Sequence, residues 1–263
     1  MYLLEHHFPS QELQMETSAY VLLPDLHRMD EESRKNIPTL YLLHGMHGNQ
    51  TDWIRRTRLE YYASQYQYRI AIVMPAAANS FYTDMVHGER YYSYITKELP
   101  AIMESAFSLS PKREDRFVAG LSMGGYGALK IGMSLPDRYS TIGSFSGAVM
   151  LEESYSPSSN QSAEFMHMMD NIFGSEEGLR SGDSNLSLLA KKLSAAPEKA
   201  PKMYIACGTE DFLFEANEYF VSKFKDQLPI DYFTETGTHD WDFWDRHVKQ
   251  FLAWLPLTKV RYK

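Results

Sequence analysis

Short apolar runs rich in β-branched and aromatic residues alternate along this chain with stretches patterned for helices. That alternation restricts the fold more than any other feature. The runs are AYVLLP (19–24), TLYLLHG (39–45), RIAIVMP (69–75), RFVAGLS (116–122), TIGSFSG (141–147), KMYIACG (202–208) and IDYFTE (230–235). Helical patterns lie between most of them, at 90–107, 123–135, 213–228 and 242–255. The first contains Pro100, which must kink that helix or divide it in two. In the last, Trp244, Val248, Phe251 and Leu255 recur at helical spacing and make one face for packing on a sheet. Several runs are almost continuously apolar, as parallel strands covered on both faces require. Strand and helix in turn predict an α/β fold with a doubly wound, mostly parallel central sheet and helices on both faces. Such sheets gather their chemistry at the carboxyl ends of the strands.

One of those ends reads Gly120-Leu121-Ser122-Met123-Gly124, a G-x-S-x-G between a strand and a helix. Small residues on either side let the chain reverse sharply, so the serine projects above the sheet edge as a nucleophile elbow. The helix behind it turns its positive end toward developing negative charge. A plain helix start would not explain Gly124, Gly125 and Gly127 in one first turn, where glycine destabilises.

A serine nucleophile needs a base, and nine histidines compete. His239, in TGTHDW after the last strand and before the last helix, has the required position; His247 lies inside that helix, where packing is expected. For the orienting acid, the run ending at Gly208 continues Thr209-Glu210-Asp211. Either carboxylate could reach the histidine; Asp211 is chosen because it lies further past the strand. The chain order Ser122, Asp211, His239 is that of an α/β-hydrolase triad. The loop His44-Gly45-Met46 after an early strand supplies the anion site. The backbone N–H groups of Met46 and Met123 are expected to hold the oxyanion, with His44 packed beneath the loop. The paired histidines lack metal-ligand spacing, so no metal is expected. No G-x-G-x-x-G stands in register, so no dinucleotide cofactor is expected either. Cys207 reads as a buried small hydrophobe.

The segments YLLHGMHGN, FVAGLSMGGYGALK, CGTEDFLFEAN and GTHDWDFWD together resemble the esterase D-like branch of the α/β hydrolases, bacterial tributyrin esterases in particular. The resemblance runs from about residue 5 to 256. It implies Ser122 as nucleophile, His239 as base, Asp211 as its partner and the Met46 and Met123 amides as oxyanion hole. It also implies that no metal or other cofactor is needed, and it leaves room for a homo-oligomer. Formylglutathione hydrolases of the same superfamily carry a cysteine-containing LTC where this chain has Met46-His47-Gly48, a departure that weighs against a glutathione thioester.

The expected function is therefore a serine carboxylesterase that hydrolyses short-chain acyl esters through an acyl-enzyme. An S-formylglutathione hydrolase-type thioesterase is the alternative within enzymes, and a non-catalytic binding protein on a hydrolase fold the alternative of another class. One hydrolase domain is expected over 1–263, with a cap-like insertion at about 148–187. Phe165 and Met169 at helical spacing in that insertion, with Trp53 and Tyr82, are the candidate pocket walls. The small insertion leaves room for a modest lid, hence short acyl chains. A net charge of −8, without a dense basic cluster, argues against nucleic acid and anionic membranes as partners. A single cysteine, no signal-peptide pattern and no apolar stretch near the roughly 18 residues of a membrane span predict a cytoplasmic protein.

Overall fold

Eight strands form one sheet in the order β1-β2-β4-β3-β5-β6-β7-β8 in the computed structural model, which describes residues 1–156 and 161–259. The strands are β1 (Tyr2–Ser10), β2 (Met15–Leu23), β3 (Thr39–Leu43), β4 (Ala71–Pro75), β5 (Arg116–Leu121), β6 (Thr141–Phe145), β7 (Lys202–Gly208) and β8 (Ile230–Glu235). The pairs β1/β2 and β2/β4 are antiparallel; all others are parallel. Every apolar run named above became a strand. β1 was not among them. It is an edge strand that buries only Phe8 and Ser10, so its residues show neither a continuous apolar run nor a clean alternation.

Both faces of the sheet are covered. Leu40, Leu42, Phe117 and Ala119 pack on one face; Tyr41, Leu43 and Val118 pack on the other, as period-two side chains must. The helices are α1 (Asp52–Arg56), α2 (Leu59–Gln65), α3 (Tyr91–Ser93), α4 (Leu99–Phe107), α5 (Met123–Ser134), α6 (Leu151–Ser154), α7 (Ala163–Phe173), α8 (Glu176–Ser181), α9 (Leu186–Leu193), α10 (Phe214–Phe224) and α11 (Trp241–Trp254). Residues of α2 and α11 cover the first face, and those of α4, α5, α9 and α10 the second. Pro100 does divide its helical stretch: a π turn over Tyr94–Glu98 separates α3 from α4. Proline offers no N–H to the carbonyl four residues earlier, and Arg138 Nη1 donates to that Thr96 oxygen instead, at 2.5 Å.

The expected insertion at 148–187 holds α6, α7 and α8; its residues 157–160 lie outside the described residues, as do 260–263. Met169, Ile172 and Phe173 of α7 are buried against the body. The amides of Val86 and His87 donate to the Ile172 and Asn171 carbonyls at its end, which fixes the helix to the 76–90 loop.

Candidate active site

The turn after β5 puts Ser122 at φ 52°, ψ −115°, a left-handed backbone that a non-glycine residue adopts only when its surroundings compel it. The surroundings are explicit. Ser122 N–H donates to the Phe145 carbonyl at 2.9 Å, and its own carbonyl accepts from Tyr126 and Ala148. Gly124 lets α5 pass directly against β3: a Cβ there would stand 2.5 Å from the Leu43 carbonyl oxygen.

Ser122 Oγ lies 3.0 Å from His239 Nε2, and His239 Nδ1 lies 2.9 and 3.1 Å from the two oxygens of Asp211. The structure thus brings to His239 an aspartate 28 residues away in sequence and a serine 117 residues away. Asp211 occupies the turn between β7 and α10, and its side chain is fully buried, whereas that of His239 is 18% exposed. Burial pushes the Asp211 carboxyl up, but hydrogen bonds from His239, the Leu213 amide and Ser146 outweigh it and hold the group below its ordinary value. Asp211 is therefore the anion that a histidine cation would need beside it. Glu210, the other carboxylate considered, is exposed.

The N–H groups of Met46 and Met123 donate to no acceptor among the described residues. Met123 opens α5, where the first amides of a helix lack intrahelical partners. Met46 sits on a loop fixed from below. His44 Nε2 accepts from the Ala77 amide at 3.0 Å, so its proton is on Nδ1, which donates to the Gly45 carbonyl at 2.7 Å. Burial lowers the His44 pKa and keeps the ring neutral. Tyr82 OH donates to the His44 carbonyl at 2.9 Å, and Trp53 Nε1 to the Leu43 carbonyl at 3.0 Å.

The structure places the four expected pocket walls outside the lining of the cleft beside Ser122. The cleft beside Ser122 has a volume of about 360 Å³ and is bounded by the 45–48 loop, Leu121, Phe212, Trp241 and Trp244. Trp53 is fully buried behind Trp241, with ring centroids 5.4 Å apart. Tyr82 is fully buried beneath the loop, its ring filling the space where Gly127 lacks a side chain. Phe165 and Met169 pack on the core from α7, and no described residue of α6 to α8 lines this cleft. Trp53 and Tyr82 thus support the loop before Met46 from below.

Sequence reasoning missed Ser146, Phe212, Trp241 and Trp244. Trp244 Nε1 donates to Ser146 Oγ at 3.2 Å, and the Ser146 hydroxyl helps to hold the Asp211 carboxyl below its ordinary value. Phe212 and Trp244 meet the His239 ring at 4.5 and 5.0 Å between centroids. Two signals were available: Ser146 closes a strand-end SFSG, and the tryptophans sit three apart just after the histidine. Cys207 is buried with its thiol pushed up to about 12, which excludes a thiolate nucleophile at neutral pH. Among the described residues no cluster of His, Cys, Asp and Glu could hold a metal ion, and no helix is long and apolar enough to cross a membrane.

A mostly parallel eight-stranded sheet, with a serine on a left-handed turn after the strand at its centre, is the α/β-hydrolase fold. Residues 10–255 match the family described as "Putative esterase", and the chain belongs to that family. An acetyl esterase of Caldicellulosiruptor saccharolyticus is 31% identical over 264 residues, spanning 97% of this chain and 98% of its own. Two solved structures from Staphylococcus aureus are each 28% identical and cover 97% of this chain and 98% of theirs. The fluorophosphonate-binding serine hydrolase FphF superposes with a TM-score of 0.86, and the S-formylglutathione hydrolase FrmB with 0.83. The protein is a carboxylic ester hydrolase.

Proposed function

We propose that the protein is a serine carboxylesterase acting on short-chain acyl esters through an acyl-enzyme. The observation that carries this reading is the continuous hydrogen-bonded path from Ser122 Oγ through both His239 nitrogens to Asp211, beside two unengaged amides. His239 Nε2 takes the Ser122 proton as Oγ attacks the ester carbonyl. The imidazolium that forms is held by Asp211, and the Met46 and Met123 amides receive the oxyanion. His239 then protonates the departing alcohol. Water, deprotonated by the same nitrogen, releases the acid.

A cleft of about 360 Å³ that α6 to α8 do not extend supports a short acyl group. The test is kcat/KM for p-nitrophenyl esters from acetate to octanoate, with S-formylglutathione alongside. A maximum at two to four carbons, about tenfold or more above octanoate, is the expected result. A rate that climbs through octanoate would sink the short-chain reading. A thioester preferred by orders of magnitude would instead favour the thioesterase function that FrmB carries.

Tyr82 acts in this scheme as a positioning residue, because its hydroxyl holds the carbonyl two residues before Met46. Tyr82→Phe is expected to cost about 1 kcal/mol of stability. It should also lower kcat by about tenfold with little change in KM, since oxyanion donors bind the transition state more than the substrate. An equal loss in both parameters, or none, would remove Tyr82 from the loop's support.

A further inference from the structure

The same cleft has a charged end that ester hydrolysis does not use. Arg56, the last residue of α1, is the only lysine or arginine that lines it among the described residues. Its guanidinium lies over the Trp241 ring, 5.6 Å from the centroid, and its Nε stands 3.6 Å from Asp52 Oδ1. Asp52 itself is buried and accepts the Asn49 amide at 3.1 Å, so it belongs to the oxyanion loop's own framework. Neither terminal nitrogen of Arg56 has a hydrogen-bond partner among the described residues, and the side chain is 49% exposed. An indole face and a fixed carboxylate thus orient a guanidinium whose planar fork is left open to the cleft.

The geometry of the reaction decides which part of a substrate meets that fork. The leaving atom must come within reach of His239 Nε2, so the alcohol lies along the histidine wall. That wall runs from His239 through Trp241, and Arg56 sits on Trp241. We infer that Arg56 binds a carboxylate carried by the leaving group, so that the substrates are acyl esters or thioesters of an anionic alcohol or thiol. The inference rests on the esterase reading above. In a chain of net charge −8, an anionic substrate is repelled at long range and needs such a local cation to be held. Guanidinium–carboxylate pairs are the bidentate, charge-assisted kind, and the tryptophans supply a flat apolar bed for the body of the alcohol.

The test compares 4-acetoxybenzoate with its neutral methyl ester in wild type, Arg56→Gln and Arg56→Lys. The ratio of the two kcat/KM values is expected to fall about tenfold in Arg56→Gln, one decade being about 1.4 kcal/mol. Arg56→Lys should recover part of it, and 0.5 M NaCl should shrink the wild-type ratio. An unchanged ratio in Arg56→Gln overturns the proposal. So does a loss confined to the p-nitrophenyl monoester of succinate, whose carboxylate is on the acyl side. Binding of 4-hydroxybenzoate, followed by quenching of tryptophan fluorescence, reads the same contact without turnover and should weaken about tenfold in Arg56→Gln. If wild type hydrolyses neither ester, the esterase reading falls and this titration alone decides, equal affinity in both proteins overturning the proposal.

Discussion

Ser122→Ala is expected to lower kcat for p-nitrophenyl acetate by about a millionfold, and His239→Ala to do the same. The double variant should be no slower than either single one. Attack requires an alkoxide-like Oγ at the moment its proton leaves, and among the described residues the base within reach of that oxygen is His239 Nε2, 3.0 Å away. Removing either partner removes the whole step, so the losses cannot add. What survives is the oxyanion site acting on a water molecule, worth about three orders of magnitude over the uncatalysed rate. The Ser122→Ala fold should persist, because the bonds that hold residue 122 in its left-handed turn come from its backbone N–H and carbonyl. Equal melting temperatures with activity lost would place the defect in the chemistry. Retention of more than about 1% of wild-type kcat would mean another nucleophile. Fluorophosphonate labelling should be confined to wild type and should map to Ser122.

The sheet and the hydrogen-bonded trio of Ser122, His239 and Asp211 were legible in the sequence because each is encoded locally. A parallel strand buried on both faces has to be a near-continuous apolar run, as TLYLL and RFVAGL are, and its end has to be a loop where polar residues can stand. Ser122 follows such a run directly, and Asp211 and His239 stand in the loops a few residues past β7 and the partly buried edge strand β8, so finding the strands found the loops. Met46 and Met123 were named by backbone position alone, and their N–H groups are unengaged among the described residues, as the proposed oxyanion site needs.

Other features were not encoded locally. β1 is held by its backbone pairing with β2 and by a surface position, and its side chains carry little of that record. The pocket walls failed for a different reason. Trp53 and Tyr82 were chosen as large apolar residues and Met169 for its helical spacing in the insertion, but such side chains are equally suited to a core, and all three are fully buried. Which face of a short helix or loop turns outward depends on neighbours distant in sequence. Trp53 is covered by Trp241, 188 positions later by residue number. Arg56 and Trp241 likewise acquire meaning only once α1 and α11 are brought to the same cleft.

Asp211→Asn should lower kcat by about four orders of magnitude while leaving the fold intact. The reason lies in how the carboxylate is already used. Asp211 Oδ1 accepts the Leu213 amide at 2.8 Å, and Oδ2 faces His239 Nδ1 at 2.9 Å. An asparagine that keeps the Leu213 bond must place its oxygen at the first position and its NH2 at the second. Its NH2 would then face His239 Nδ1 across the shorter contact, leaving Nδ1–H only the 3.1 Å approach to an oxygen already held by Leu213, unless His239 Nδ1 gives up its proton. The ring would become the Nε2–H tautomer, which donates to Ser122 Oγ and cannot accept from it. The variant would also lack the anion that stabilises the imidazolium. Asp211→Ala removes both the wrong donor and the right acceptor, and leaves the Leu213 amide without its buried partner. It should therefore be less stable than Asp211→Asn by about 1–3 kcal/mol, without being much slower. Single-turnover acylation rates, melting curves and the 15N shifts of His239 separate these effects. An Asp211→Asn protein that keeps a tenth of wild-type kcat with His239 still protonated on Nδ1 would show that another group orients the base.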